Sequence, residues 1–304
     1  MKYFIHKTIT RSMLVFFIVC IGFFAHCKSI YAFDLFDIID PDQKNEKLQR
    51  AKRILDGASN IVSSGEEMDY ESELSLGESV ALEGFKRFGM PISNNNVQKY
   101  VNMIGNAIAR NSSRPDIPFY FVVVSSDRYN AFSCPGGIIF ITDTLIKSME
   151  DESELAGVIA HEIAHVCHKH AISALKRAKF FEGVGKIATA NSSAEKQKRY
   201  SKQISFLQDM LFDKGLDQSM EFEADNTALD LLYRTGYQPQ GLIRVLEKLK
   251  TIQKRAKIQQ SWFSTHPPLK ERLFKCEQNI SNYRDINNLA QVKTRFITYR
   301  SYIK

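Results

Sequence analysis

Residues 158–170, VIAHEIAHVCHKH, constrain this chain more than any other stretch. Four of its seven histidines lie here, among side chains typical of a buried helix. His161, Glu162 and His165 form the pattern H-E-x-x-H, and residues four apart share one face of an α-helix. Two imidazoles at this spacing can bind one Zn²⁺, and the glutamate can accept a proton from water at the metal. The pattern therefore predicts a catalytic zinc site on a buried helix.

A catalytic zinc site needs a third protein ligand and one position open to water. A metzincin arrangement is excluded, because it would require glycine and histidine where this chain has His168 and Ala171. The stretch SMEFEADNTALDLL offers carboxylates on a later helix. Glu221 can bind the metal, while Asp225, one turn further on, can accept the second N–H of a ligand histidine. Glu223 is expected on a solvated face of that helix.

The other patterns predict an α+β fold in which helices dominate and one small β-sheet lies beside the metal-binding helix. A Pro-Gly-Gly break separates two strands in YNAFSCPGGIIFIT. The predicted elements are helices near 71–88 and 95–109, a strand at 119–126, a long helix from 151 to about 178, a mobile loop at 190–201, helices near 219–235 and 239–254, and a last helix after STHPPLKERL.

The N-terminus predicts export. Lys2, Lys7 and Arg11 precede an apolar run at residues 13–24, shorter than the roughly 20 apolar residues of a membrane-spanning helix. This pattern is typical of a signal peptide that ends at Ala32, and an uncleaved anchor is the alternative. The first 32 residues hold four basic side chains and no acidic ones, so the net charge of +7 falls to +3 for residues 33–304. Such a mild excess favours no nucleic-acid partner.

The exported chain would keep three cysteines and a basic tail. At most one internal disulfide can form among Cys134, Cys167 and Cys276, and the third cysteine then remains a free thiol. The tail, VKTRFITYRSYIK, has four basic residues and no acidic one. A terminal strand or a frayed end is the favoured structure for it. Binding to an acidic partner or peripheral contact with a membrane surface stays open.

Four pieces in order carry a resemblance to a known family. They are NAFSCPGGIIFIT, HEIAH, Glu221-Phe-Glu-Ala-Asp225, and Thr265-His266-Pro267 with Arg272. Together they resemble the zinc metalloproteases of the CAAX-prenyl-protease superfamily, which are gluzincins (HExxH…ExxxD), and most of all its soluble bacterial BepA/LoiP-like branch. The resemblance implies a mostly helical, zincin-like metalloprotease domain. The predicted organisation is a signal peptide (1–32), an N-terminal helical extension (33–68), the protease domain (69–276) and the basic tail (277–304).

The resemblance also implies roles for single residues. His161, His165 and Glu221 would bind one zinc ion per chain, Glu162 would be the general base, and Asp225 would orient a ligand histidine. His266 would lie close to the zinc. There it would either donate to the tetrahedral intermediate or occupy the open coordination position in a resting state.

Further implications concern the substrate strand and the remaining histidines. Residues 137–142 would form an edge strand that holds substrate backbone by β-addition, with contacts from Gly137, Ile138, Ile139 and Phe140. His170 is expected to be structural, and His168 to be exposed or a chance neighbour.

The sequence thus predicts a zinc-dependent endopeptidase of the periplasm. The resemblance implies that its substrates are misfolded or unassembled envelope proteins, which is a role in protein quality control. The alternative is a chaperone-like assembly factor that holds clients in the cleft with little or no proteolysis. The intact Glu162 argues against it, because a structural zinc would not need that carboxylate. The long, polar segment 177–216 is expected to cover the cleft.

Overall fold

The computed structural model describes residues 67–181, 193–256, 266 and 268–303. The predicted signal peptide and almost all of the predicted extension at residues 33–68 lie outside this part of the chain. Within it, the helices are α1 (Tyr70–Phe88), α2 (Asn95–Ala109), α3 (Asp143–Ser148), α4 (Glu152–Cys167), α5 (His170–Phe181), α6 (Ser193–Asp209), α7 (Gln218–Thr235), α8 (Gln240–Ala256), α9 (Leu269–Asn279) and α10 (Lys293–Arg300). The fold is α+β and mostly helical, as predicted.

The described strands form one small sheet beside α4. They are β1 (Tyr120–Val124), β2 (Ala131–Cys134) and β3 (Ile138–Thr142), in the order β1-β3-β2. β3 pairs in parallel with β1 and antiparallel with β2. The backbone groups of β3 are therefore used on both sides, and all five of its side chains are buried.

The sheet order corrects the predicted edge strand. Residues 137–142 were expected at an edge, but Gly137 lies in the turn before β3, and Ile138, Ile139 and Phe140 lie in the central strand. β2 is instead the edge strand on the side of β3 away from β1. The sequence pattern could not distinguish them, because both strands are short, apolar and fully buried.

Helix α4 lies at the centre of the described core, and its residues from Glu152 to Val166 are all buried. It packs against α7, α8, α2 and β2. A single helix from 151 to about 178 was predicted, but the chain breaks at His168-Lys169, and Lys169 adopts a left-handed conformation with φ of 52°. The helical spacing continues on both sides of the break, which is why it was missed.

A helix, α6, begins at Ser193, so the mobile loop predicted for residues 190–201 is wrong for its described part. A π-helical turn, Met210–Lys214, follows α6 and packs against β2. Phe212 in this turn makes edge-on contacts with Phe132 of β2 and Phe88 of α1. The segment is therefore held against the sheet by aromatic contacts.

The basic tail forms helix α10 and not the terminal strand or frayed end that was favoured. Phe296 is completely buried in the same core as α4. The three described cysteines, Cys134, Cys167 and Cys276, are all free thiols. In the described ranges, no helix combines the length and the apolar character needed to cross a bilayer.

Candidate metal centre

Helices α4 and α7 bring the three predicted ligands together. The Nε2 atoms of His161 and His165 are 3.0 Å apart, and the Glu221 carboxylate lies 3.4 Å from the first and 3.6 Å from the second. Tetrahedral zinc with bonds of about 2.0–2.1 Å has ligand atoms roughly 3.3–3.4 Å from one another. The donor set of two imidazoles and a carboxylate therefore fits a zinc ion in both chemistry and spacing.

His266 supplies a fourth donor atom to this cluster. Its Nδ1 lies 3.4 Å from Nε2 of His161 and 3.0 Å from Oε2 of Glu221. His161, His165, Glu221 and His266 are all buried, and their candidate ligand atoms lie within 4.8 Å of one another. The resemblance implied that His266 would lie close to the zinc, and its Nδ1 is indeed among these candidate ligand atoms.

Asp225 and Arg272 form a second layer around the cluster. Asp225 Oδ1 is 2.9 Å from Nδ1 of His161, the atom that faces away from the donor cluster. The Arg272 guanidinium donates twice to Asp225, at 2.7 Å each, and once to the backbone oxygen of His266 at 2.9 Å. It also lies 3.0 Å from Glu221. Arg272 thus connects the helix of Glu221 to the segment that carries His266.

The electrostatics of the cluster favour bound positive charge. Burial opposes ionisation of Glu221, but His266 and Arg272 outweigh it and hold the Glu221 pKa well below its usual range. Burial and Arg272 lower the pKa of His161, yet its hydrogen bonds to Asp225 and Glu221 raise it to about 9. Two ionised carboxylates in a dry core attract a cation, and a metal ion competes with protons for such sites.

Glu162 lies at the cleft beside the cluster, with its carboxylate 3.6 Å from Nε2 of His266. A narrow cleft adjoins these groups. Its walls are Glu162, His165 and His266 on one side, Phe132 and Ser133 of the edge strand β2, and Met210, Leu211 and Leu216 from the segment after α6. Glu162 and the edge strand therefore share one cleft, and the end of segment 177–216 lines it.

The two other histidines of the motif lie beside the cluster. His170 is buried, with its Nδ1 2.8 Å from Nδ1 of His165 and its Nε2 3.1 Å from Glu223. Nε2 of His168 lies 2.8 Å from the Thr227 hydroxyl, and its Nδ1 lies 3.3 Å from Oε1 of Glu223. Glu223 was expected on a solvated face. Its side chain is 55% exposed, but its carboxylate contacts both histidines.

A known protein family matches the part of the chain that contains this cluster. The sequence profile described as Peptidase family M48 matches residues 95–280, which is more than half of the chain. The chain belongs to peptidase family M48. The match covers α2 to α9 and therefore every predicted ligand. It confirms the resemblance to zinc metalloproteases and the prediction of a peptide-bond hydrolase.

Three proteins similar to this chain carry the names of proteases. The "Beta-barrel assembly-enhancing protease" of Escherichia coli K12 is 28% identical over 210 residues, which cover 65% of this chain and 41% of the relative. The protein of the same name from Yersinia pestis is 29% identical over 58% of this chain and 37% of its own length. The "Mitochondrial metalloendopeptidase OMA1" of Saccharomyces cerevisiae is 25% identical over 57% of this chain and 50% of the relative. The matched region thus spans about half or less of each of these relatives.

Two features of this M48 centre were missed from the sequence. Arg272 was noted only as part of a motif, yet it is completely buried and holds Asp225. The contact of His170 with His165 was also missed, because regular helical spacing does not bring residues five apart together. The one available signal for Arg272 was its position six residues after His266.

Proposed function

We propose that this chain is a zinc-dependent endopeptidase of the bacterial cell envelope that cleaves unfolded or misassembled polypeptides. The observation that carries the proposal is the buried cluster of His161, His165 and Glu221 with Glu162 beside it, in a cleft bordered by an edge strand. The envelope location is supported by the predicted signal peptide. The substrate class is supported by the relatives named for β-barrel assembly and by β-addition, which selects little for side chains.

The chain's own residues would divide the reaction among them. His161, His165 and Glu221 would hold the zinc ion, which when bound supplies Lewis-acid polarisation of the scissile carbonyl. Glu162 takes a proton from the attacking water and passes it to the leaving amine. Asp225 fixes the tautomer of His161, and Arg272 keeps Asp225 ionised. Substrate backbone would pair with the outer edge of β2, where Phe132 and Ser133 line the cleft.

The closed arrangement of the cleft bears on regulation. His266 lies where a fourth ligand would, and Met210, Leu211 and Leu216 line the cleft from the segment after α6. For a peptide to reach Glu162, His266 and this segment must move aside. The chaperone-like holding factor remains the second candidate, since a client that pairs with β2 while His266 stays in place would be held without reaching Glu162.

Casein hydrolysis by the purified chain with zinc tests the proposal, beside Glu162→Gln and His266→Ala. We expect wild type and His266→Ala to cut casein, and Glu162→Gln to retain zinc without cutting. If wild type is inactive but His266→Ala cuts, the chain is a protease held closed by His266. If all three hold zinc and none cuts, the holding factor replaces the protease.

A further inference from the structure

A chain of hydrogen-bonding atoms leads from the metal centre to the protein surface. Nδ1 of His165 is 2.8 Å from Nδ1 of His170, and Nε2 of His170 is 3.1 Å from Oε2 of Glu223. His170 is only 2% exposed, whereas the Glu223 side chain is 55% exposed. His170 therefore connects a predicted zinc ligand to a carboxylate that water can reach.

A break between α4 and α5 allows His165 and His170 to make this contact. In an unbroken α-helix, residues five apart point about 140° away from each other. The break after α4 changes this, because Lys169 takes the left-handed conformation at φ 52°. That conformation is unfavourable for a residue with a Cβ. Such local strain often occurs where the surrounding structure serves a site.

The proton positions along this chain follow from the metal site. His165 directs its Nε2 at the donor cluster, 3.0 Å from Nε2 of His161. A neutral imidazole that binds metal through Nε2 carries its proton on Nδ1. Nδ1 of His170 must then accept the hydrogen bond from this N–H. The single proton of the His170 ring therefore lies on Nε2, which donates a hydrogen bond to Glu223. One tautomer of each ring satisfies all three contacts.

The two predicted ligand histidines thus have matching supports. His161 has Asp225 directly at its Nδ1, whereas Nδ1 of His165 faces His170, which in turn contacts Glu223. We propose that His170, anchored by Glu223, is the positioning residue that fixes the tautomer and ring orientation of His165. The inference rests on the proposed metal function, because the tautomer matters only if Nε2 of His165 binds zinc.

A second metal ion between His168, His170 and Glu223 is the competing explanation, since their candidate ligand atoms lie within 4.8 Å of one another. The proton count opposes it. A metal on Nε2 of His170 would move its proton to Nδ1, directly against the N–H of His165. Both metals could then bind only if one imidazole lost a further proton.

The test measures the zinc dissociation constant by competition with a chromophoric chelator, together with the free energy of unfolding of the metal-free protein. His170→Leu removes the acceptor and keeps much of the volume. His170→Asn retains an acceptor close to the position of Nδ1. His168→Leu is the matched control, because His168 contacts Glu223 and Thr227 and lies two residues from His170.

Loss of an outer partner of a ligand histidine typically weakens metal binding 10–100-fold. We expect a weakening of about this size for His170→Leu, recovery of most of the affinity in His170→Asn, and a change of less than about threefold for His168→Leu. Glu223→Gln should fall between wild type and His170→Leu, because its amide oxygen can still accept from His170. The metal-free stability of His170→Asn should be no higher than that of His170→Leu, so its recovered affinity would not reflect better folding.

Four results would overturn the inference. If His170→Leu binds zinc as tightly as wild type, or if His170→Leu and His170→Asn bind it equally, His170 contributes only packing. Two zinc ions per wild-type chain, with one lost in His168→Leu, would establish the second metal site instead. A wild-type chain that binds no zinc would refute the proposed metal function itself, and is recognised without any variant.

Discussion

Arg272 shows how single residues determine this site. It is the largest completely buried side chain among the described residues. A buried charge is tolerated only when it is paired and hydrogen-bonded, and Arg272 meets this condition through Asp225, Glu221 and the backbone of His266. Burial raises the pKa of Asp225, but Arg272 and His161 outweigh it and hold that pKa below its usual value. The guanidinium thus helps two nearby histidines to keep both carboxylates ionised in a dry core.

Replacing Arg272 tests this pairing. We expect Arg272→Met to lower the free energy of unfolding by about 3–5 kcal/mol, because it leaves buried charge uncompensated. Arg272→Lys should recover only part of the loss, since an ammonium group cannot make the paired contacts to Asp225. Urea denaturation of the metal-free protein measures both.

Arg177→Met is the control, because the ion pair of Arg177 with Asp217 is largely exposed. It should cost less than about 1 kcal/mol. Equal losses at positions 272 and 177 would mean that the buried pairing contributes no special stability.

At the scale of elements, helix α4 depends on how it begins and on what packs against it. The Asp151 side chain caps its N-terminus by accepting from the backbone N–H of Glu154 at 3.0 Å, and it also pairs with Arg244 at 2.9 Å. Two glycines permit the close packing of α8 on α4. A Cβ on Gly241 would lie 2.2 Å from the backbone oxygen of Ser153, and one on Gly157 would lie 2.9 Å from Cα of Leu242.

The cap predicts a pH dependence. Burial raises the pKa of Asp151, but the Ser153 hydroxyl and Arg244 outweigh it and lower that pKa from 3.8. A carboxylate with a depressed pKa stabilises the fold above its unfolded pKa, and that stability is lost as the pH falls through the folded value. Asp151→Asn should therefore cost about 1–3 kcal/mol at pH 7, and the difference from wild type should shrink towards pH 3.

Urea unfolding at several pH values between 7 and 3 checks this expectation, with the exposed Asp127→Asn as control. The control should stay within about 0.5 kcal/mol of wild type. A constant deficit for Asp151→Asn across the whole range would show that its charge does not carry the stabilisation.

Gly241→Ala tests the contact between helices. Alanine is the better helix former by about 1 kcal/mol, but the clash with Ser153 should dominate and destabilise the protein by about 1–3 kcal/mol. Gly236→Ala is the comparison, because a Cβ there meets nothing within 4 Å, although φ is 88°. Its cost should be limited to the backbone strain, about 1–2 kcal/mol. A thermal or urea measurement in which Gly241→Ala gains stability would contradict the close approach.

At the scale of the whole molecule, the C-terminal segment closes around the start of α4. Arg295 pairs with Glu152, which is completely buried and also accepts from Tyr100 and Tyr237 at 2.6 Å each. Tyr299 stacks on Tyr100 with ring centroids 4.1 Å apart. The core that supports the metal helix therefore continues past Cys276 into α10.

Neighbouring residues of α10 allow a matched test. Phe296 is fully buried, and Ile297 is 41% exposed. Phe296→Ala should lower the free energy of unfolding by about 3–5 kcal/mol, whereas Ile297→Ala should cost less than about 1 kcal/mol. If urea denaturation gives similar small losses for both, the tail does not belong to the cooperative core.

The sequence by itself predicted which carboxylates and histidines share a helix face at this centre. His161 and His165 are four residues apart on one helix, as are Glu221 and Asp225 on another, so a local periodicity places each pair on a common face. The α+β class, most element bounds and the resemblance to CAAX-prenyl-protease-type metalloproteases also follow from local patterns and short motifs. These features need only information from neighbouring residues.

Only the tertiary structure decided which distant groups meet. Three features depend on residues that are far apart in the chain. They are the edge position of β2, the contact of His170 with Glu223, and the position of Arg272 between Asp225 and Glu221. Strand order is set by how the whole sheet packs, and a single left-handed residue, Lys169, redirects a helix that periodicity would continue. Spacing along the chain fixes the face on which a side chain lies, but its partners are fixed by the packing of complete elements in the core.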